Sequence, residues 1–574
     1  MLHLLLQERL QSVVQNILPD ANLRLVQVRP CPDPKFGDYQ SIALMALARE
    51  RKRNPRQIAE QVLKQLDLSE FCDKVEIAGP GFLNFRIKPA AISRILQQAA
   101  RGEHQFLQPS SAPRTVVIDF SSPNVAKPMH VGHIRSTILG DCLARVLRLL
   151  GHRVITDNHI GDWGTQFGKL LLGWKTMRDD AALLREPLEE MGRIYKEINA
   201  RFEADDQVKA QARHELLKLQ SGDPENTRIW QEMIRLSLQE FDQIYRRLAI
   251  QFDHLLGESF YNPQLQSVVA DLQSRGIARE SEGATVVFFD DIPELKEQPA
   301  LIRKSDGAAN YTTTDLATLE YRLKTWQPDE IIYVTDARQQ LHFKQLFAIL
   351  ERWKPDAQVK LTHVWFGMIL GEDGKPFKTR TGENVKLKDL LDEAEQRAFD
   401  VVTAKNPDLP EAERREIARV IGLGAIKYSD LLPNRQSDYA FSWEKMLALT
   451  GNTAPYVQYA YTRIQSILRK AAETGAISQA APEFLLNSAE ELDLAKHLLN
   501  FGIVLEAVAD EYRPNYLCNY LYDLASLFAR FFEHCPVLKS EGQERIDRLA
   551  LCQLTGRILR QGLNLLGIET TEKM

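Results

Sequence analysis

The sequence predicts an α/β protein: a doubly wound parallel sheet with a helical insertion, an α+β unit before it and an all-α helical bundle after it. Three observations lead there. In the middle of the chain, the apolar runs Val116-Val117-Ile118 and Ile331-Ile332-Tyr333 are separated by segments of helical period. Such runs suit parallel strands buried on both faces by helices. The stretch 176–260 is long, charged and helical in period, and it interrupts that rhythm. From about residue 445 to the end the pattern is helical throughout, which points to a bundle.

The elements follow in order. Leu2, Leu6, Leu10, Val13, Val14 and Ile17 fall on one helical face, with Glu8 and Arg9 breaking the apolar start. That reads as an amphipathic core helix and not a signal peptide. Pro30, Pro32 and Pro34 mark a turn, and a helix is expected from about Tyr39 to Arg51. After a third helix, VEIAGPGFLNFRI alternates like a strand with a Gly/Pro break. QPSSAPR, residues 108–114, reads as a linker.

The strand Val116–Ile118 then leads through a loop into a helix from about His133 to Leu150. Gly151 ends that helix, and the next strand runs from His152 to Thr156. This is how a doubly wound sheet opens. IIYVT (331–335) and VKLTHVWF (359–366) are further strands with a helix between them. The expected domains are 1–110, 111–445 with the insertion at about 176–260, and 446–574.

The 574 residues leave room for about three to five domains. Hydrophobic residues make up 44% and charged residues 26%, which provides an ordinary globular core. With a formal net charge of -5 no global basic field marks a nucleic-acid partner, so any RNA contact must come from local patches. The six cysteines form no C-x-x-C pair, which argues against structural zinc and fits a reducing cytoplasm. No stretch is long and apolar enough to span a bilayer, so no membrane is expected.

Two segments carry chemistry. The first is DFSSPNVAKPMHVGHIRSTILGD, residues 119–141. Asp119 ends a strand, at the edge where open α/β sheets bind ligands. His130-Val131-Gly132-His133 stands where the next helix begins, and the free N–H groups there suit phosphate. Gly132 admits close approach to the backbone, and two imidazoles can stabilise charge that grows at a phosphorus centre. On spacing alone, two histidines at a helix start also serve structural purposes. The second segment is FGMILGEDGKPFKTRTGENVK, residues 366–386. It reads as strand, glycine turn and basic loop, with Lys375, Lys378 and Arg380 placed to neutralise a leaving pyrophosphate. In isolation a solvated basic loop reads the same way.

HVGH resembles the HIGH signature of class I aminoacyl-tRNA synthetases, with Val131 for isoleucine. SSPNVAKPMHVGHIRSTILGD, and GHRVITDNHIGDWGTQFG just downstream, resemble the arginyl-tRNA synthetase version over about fifty residues. GKPFKTR resembles a KMSK variant of the same enzymes in which two registers are open.

The resemblance implies a Rossmann-like catalytic domain and a set of site residues. Asp119, Ser121 and Asn124 would contact arginine. His130, Gly132, His133, Lys375 and Lys378 would bind ATP. His130, His133, Lys127, Lys378 and Arg380 would act in catalysis, with Lys127 taking part of the second KMSK lysine's task. Tyr311, Asp315 and Gln339 fit the arginine pocket, where a five-donor guanidinium needs carboxylate, phenol or amide acceptors. Tyr311 and Asp315, four apart, share a helix face.

Tyr456, Tyr459 and Arg463, in GNTAPYVQYAYTRIQSILRK, combine aromatic platforms with a cation, a mix that suits RNA. Aromatic core positions of a bundle give the same pattern. The tail, YDLASLFARFFEHCPV above all, resembles the family's anticodon-binding bundle. Phe82 and Asn84 fall where its N-terminal domain reads a base at the tRNA elbow. Phe82 also suits a core.

The implied reaction is ATP-dependent activation of L-arginine to arginyl-adenylate. Transfer to the 3′ end of tRNA(Arg) follows, with release of AMP and diphosphate. Mg²⁺ would accompany ATP, with no zinc, in a cytoplasmic monomer. The rival readings are a class I synthetase for another amino acid, a nucleotidyltransferase for small acceptors, and a catalytically silent tRNA-binding paralogue.

Overall fold

Four parallel strands frame the middle of the chain in a computed structural model that describes residues 1–378, 385–475 and 480–574. They are β1 (Thr115–Asp119), β2 (Arg153–Asp157), β3 (Glu330–Tyr333) and β4 (Lys360–His363), in the order β4-β3-β1-β2. Helix α1 (Val131–Leu149) joins β1 to β2. Within the long excursion from β2 to β3 come helices α2 (Pro187–Ala204), α3 (Pro224–Arg247) and α4 (Tyr311–Thr325). Helix α5 (Gln340–Trp353) then connects β3 to β4. Helices α6 (Leu387–Lys405) and α7 (Glu411–Leu431) follow.

Strand β2 lies on one side of β1, whereas β3 and β4 lie on the other. The order of winding therefore reverses between β1 and β3. Ligand crevices open at such a switch, beyond the carboxyl ends of the strands. The register is level there: Asp119 stands opposite both Tyr333 and Asp157, and Tyr333 opposite His363.

Burial explains the apolar runs. Val116, Val117, Ile118, Ile331 and Ile332 are all fully buried, as strands covered on both faces must be. Val117, Ile331, Leu316, Leu319, Phe343, Leu346 and Trp353 share one core beneath α4 and α5. Helix α1 packs so closely on the loop after β1 that a Cβ on Gly140 would lie 2.2 Å from the Phe120 ring.

Three features depart from the sequence reading. Tyr39–Ser41 is a strand, and the helix begins only at Ala43. VEIAGPGFLNFRI folds as a hairpin of two strands, Cys72–Ala78 and Phe82–Ile87, because its Gly/Pro break reverses the chain. An antiparallel sheet formed by Arg279–Ser281, Ala284–Val287 and Ala300–Arg303 was not anticipated. Strands of three or four residues are too short to show a period.

The chain divides into two compact units, one spanning Ser110–Met446 and the other joining Met1–Pro109 to Leu447–Met574. In the second unit the first and last segments pack on each other. Tyr39 donates to Asn500 at 3.0 Å, Lys496 meets Asp38 at 2.8 Å, and the Gly502 amide donates to the Phe106 carbonyl at 2.9 Å.

Candidate active site

The loop between β1 and α1 holds three non-glycine residues in the left-handed region: Ser121 (φ 73), Ser122 (φ 46) and Ala126 (φ 62). Such residues persist only where their surroundings over-determine them, and they cluster at functional sites. Here each one is fixed through its own amide. Ser121 donates to Ser136 on α1 at 2.8 Å, Ser122 to Asn158 after β2 at 3.1 Å, and Ala126 to Ser237 on α3 at 3.0 Å. Three separate elements thus hold one loop.

At the end of that loop the two histidines cap α1 reciprocally. His130 Nδ1 accepts the Gly132 amide at 3.0 Å, and His133 Nδ1 accepts the His130 amide at 3.1 Å. The rings stand 4.0 Å apart. Because each Nδ1 accepts from a backbone N–H, a neutral ring must carry its proton on Nε2. Both rings are kept neutral. Burial depresses the pKa of His130, helped by Arg338 and Lys127. Burial and the neighbouring His130 lower His133 to about 3. The pair therefore presents two Nε2–H donors at a helix N-terminus, a combination suited to phosphate oxygens. Gly132 is required by the cap, since a Cβ there would lie 2.8 Å from the His130 ring.

The second motif forms a turn and then returns to the first. The Gly371 amide donates to the Lys375 carbonyl at 2.7 Å and the Phe377 amide to Ile369 at 3.0 Å, so exposed Lys375 rides at the tip. Lys378 is exposed where the turn ends, and Arg380 lies outside the described residues. The chain resumes alongside the signature. Val131 donates to Val385 at 2.9 Å, Leu387 donates to Met129 at 2.9 Å, and His130 pairs with Lys386 as an antiparallel bridge.

The residues expected around arginine divide into two groups. Asn124 is exposed and bridges to Gly161, and Lys127 is exposed beside it. Tyr311, on α4, is 59% exposed. One turn on, Asp315 Oδ2 lies 2.6 Å from His342 Nε2, while Tyr311 meets the same imidazole edge-on at 4.9 Å. Gln339 is exposed ahead of α5. Asp315 Oδ1 also lies 3.9 Å from Nε2 of His159, just after β2.

Ser121 and Asp119 do not stand open in this way. The Ser121 hydroxyl is buried, accepts from Thr137 at 2.8 Å and lies 2.8 Å from the Tyr245 hydroxyl. Its left-handed backbone turns it into the protein, so it shapes the loop. Asp119 is buried too, accepting from Ser122 at 3.1 Å and from Arg322 at 2.6 Å. Fully buried Arg322 also donates to Asp157 at 2.7 Å and joins the carboxyl ends of β1 and β2.

Sequence reasoning missed two residues here. Glu258 lies within the electrostatic reach of His159, Asp315 and Asp162, and burial pushes its carboxyl up to about 7. Arg338, held by Asp336 at 2.8 Å, is close enough for its charge to lower the His130 pKa. Neither belongs to a motif.

In the other unit, Asn84 is buried and accepts from Gln40 at 2.7 Å, while Phe82 is half-buried. Tyr459 is 40% exposed and Phe532 39%. Arg463 lies between them, 4.8 Å from the Tyr459 ring and 5.3 Å from that of Phe532. Phe532 was not singled out beforehand. Tyr456 sits deeper, against Tyr522. Nearby Tyr461 is core.

A switch-point cleft, a histidine-capped helix and a basic turn leading back to it define a class I aminoacyl-tRNA synthetase catalytic unit. Residues 92–443 match the family described as "tRNA synthetases class I (R), catalytic domain". Residues 4–87 match the arginyl tRNA synthetase N-terminal domain, and 457–574 the DALR anticodon binding domain.

An arginine–tRNA ligase of Shigella sonnei is 46% identical over 555 residues, covering 96% of each chain. One of Chromobacterium violaceum is 44% identical over the full length of both. The structure of arginyl-tRNA synthetase from Thermus thermophilus superimposes with a TM-score of 0.86 at 29% identity, covering all of both chains. That from Plasmodium falciparum gives 0.84 at 29% identity, covering 100% of this chain and 99% of the other. The chain belongs to the arginyl-tRNA synthetase family. It activates arginine with ATP and charges tRNA(Arg). No described helix is long and apolar enough to cross a membrane.

Proposed function

We propose that His130 and His133 donate from Nε2 to ATP, with Gly132 clearing the approach, while Lys127, Lys375, Lys378 and Arg380 neutralise the phosphates. The arginine carboxylate attacks the α-phosphorus, the bond to the bridging oxygen breaks, and pyrophosphate leaves. The 2′-OH of the terminal adenosine of tRNA then attacks the arginyl carbonyl, and AMP departs. Most of the rate comes from position and fixed dipoles, because no protein group is bonded to the substrate. The reciprocal histidine cap carries this reading, since it makes both free ring nitrogens donors.

Asn124, Tyr311, Asp315 and Gln339 bind arginine, with Asp315 oriented by His342 for the guanidinium. Asp119 contributes through Ser122 and Arg322. Mg²⁺ arrives with ATP as part of that substrate. Phe82 meets the tRNA elbow while Asn84, buried and held by Gln40, supports its strand from within, and Tyr456, Tyr459 and Arg463 meet unpaired bases. The three domains 1–110, 111–445 and 446–574 act together in a cytoplasmic monomer, and scattered cysteines, five of them buried, suit that compartment.

Amino-acid-dependent ATP–pyrophosphate exchange, with and without tRNA(Arg), tests the reading. Exchange with arginine alone among the amino acids is the expected result. Full exchange by a His133→Ala variant would remove the central role given to the cap.

A further inference from the structure

The helical insertion has no part in the reaction as described, yet it touches the signature loop and its neighbour at three points. Ser237 on α3 accepts the Ala126 amide at 3.0 Å. Tyr195 on α2 lies under Lys127, with Nζ 4.7 Å from the ring centroid. Glu189, also on α2, meets Lys386 at 2.6 Å, and Lys386 is the residue bridged to His130.

Lys127 follows Ala126 directly, and Ala126 is left-handed. The direction in which the chain delivers Lys127 thus depends on a conformation that Ser237 holds. Lys127 is exposed, and no carboxylate pairs with it among the described residues. A lysine on a four-carbon stem otherwise spreads over many rotamers. A carboxylate would hold the ammonium but also cancel its charge. An aromatic face attracts a cation without a formal negative charge of its own. It can therefore order the ammonium and leave the charge available to a phosphate.

We propose that Tyr195 is a positioning residue: its ring pre-orders Lys127 for the ATP phosphates, and Ser237 sets the backbone from which Lys127 projects. This rests on the reading of Lys127 as a phosphate-contacting cation. The insertion then acts in arginine activation from behind the signature loop.

The test is a double-mutant cycle read by arginine-dependent pyrophosphate exchange in the full chain, with tRNA(Arg) present. Tyr195→Leu should lower the exchange kcat about three- to tenfold, the scale of a lost cation–π contact, with arginine KM unchanged. Tyr195→Phe, which keeps the ring, should restore the rate. In a Lys127→Ala background, Tyr195→Leu should cost nothing further. Thermal melting checks that each variant is folded, and Tyr195→Met gives the same comparison if the leucine variant is not. Tyr195→Leu at the wild-type rate would overturn the proposal, as would an equal loss with Lys127 already removed. Lys127→Ala exchanging normally would overturn the reading beneath it, and that single variant shows it whatever Tyr195 does.

Discussion

The guanidinium of Arg135 meets the carboxylate of Asp430 at 3.1 Å, with only 3% and 2% of the two side chains exposed. Arg135 lies on α1, one turn past the histidines, and Asp430 lies near the end of α7. The same guanidinium donates to the Gly367 carbonyl at 2.8 Å, just ahead of the basic turn. One buried guanidinium therefore joins the signature helix both to α7 and to the base of the second motif. Burial raises the Asp430 pKa, and Arg135 opposes that rise.

Removing one partner leaves the other charged and buried. Asp430→Ala should destabilise the Ser110–Met446 unit by about 3–5 kcal/mol. The shift in urea midpoint, followed by tryptophan fluorescence, measures it. An unchanged midpoint would show that the pair is not buried in solution.

The histidine cap separates structure from chemistry. His133→Asn keeps an acceptor for the His130 amide but removes the Nε2–H donor. Its melting temperature should stay close to wild type, while exchange kcat falls about 100- to 1,000-fold. Equal loss of both would reduce His133 to a cap.

The same residue sets a pH dependence. Its folded pKa of about 3 lies below the ordinary 6.5, so the unfolded chain binds the proton more readily. Its contribution is complete above about pH 6.5 and is lost as pH falls from there towards about 3. Nitrogen-15 histidine NMR at pH 5 should find His133 neutral with Nε2 protonated. A protonated ring at that pH would contradict the donor assignment.

Asp315→Asn removes the charge that we propose faces the guanidinium but keeps the shape. Arginine KM should rise roughly 10- to 100-fold with ATP KM unchanged, the range for a hydrogen bond to a charged group. Steady-state exchange measures both. Parallel changes in the two constants would point to a distorted cleft.

Tyr459, Arg463 and Phe532 form an exposed aromatic–cation sandwich. Phe532→Ala should raise the KM for tRNA about tenfold, within the range for one lost base stack, with arginine KM unchanged. Aminoacylation over a tRNA titration decides it. An unaffected tRNA KM would take Phe532 out of the interface.

The sequence by itself determined the parallel strands of the central sheet, because burial on both faces writes continuous apolar runs such as Val116–Ile118 and Ile331–Tyr333. It also determined the signature helix, since its glycine, histidines and neighbours are consecutive. The pairing of Tyr311 with Asp315 was legible for the same reason, as helical spacing fixes which side chains share a face. Only the tertiary structure decided that the Ser121 hydroxyl turns inward, that Asp119 is engaged by Arg322, and that Ser237 and Tyr195 reach the loop from more than sixty residues away. These contacts join residues distant in the chain, and a left-handed backbone at a serine or alanine leaves no mark in composition or period. Local pattern records which face of an element is buried. It cannot record which distant group meets that element there.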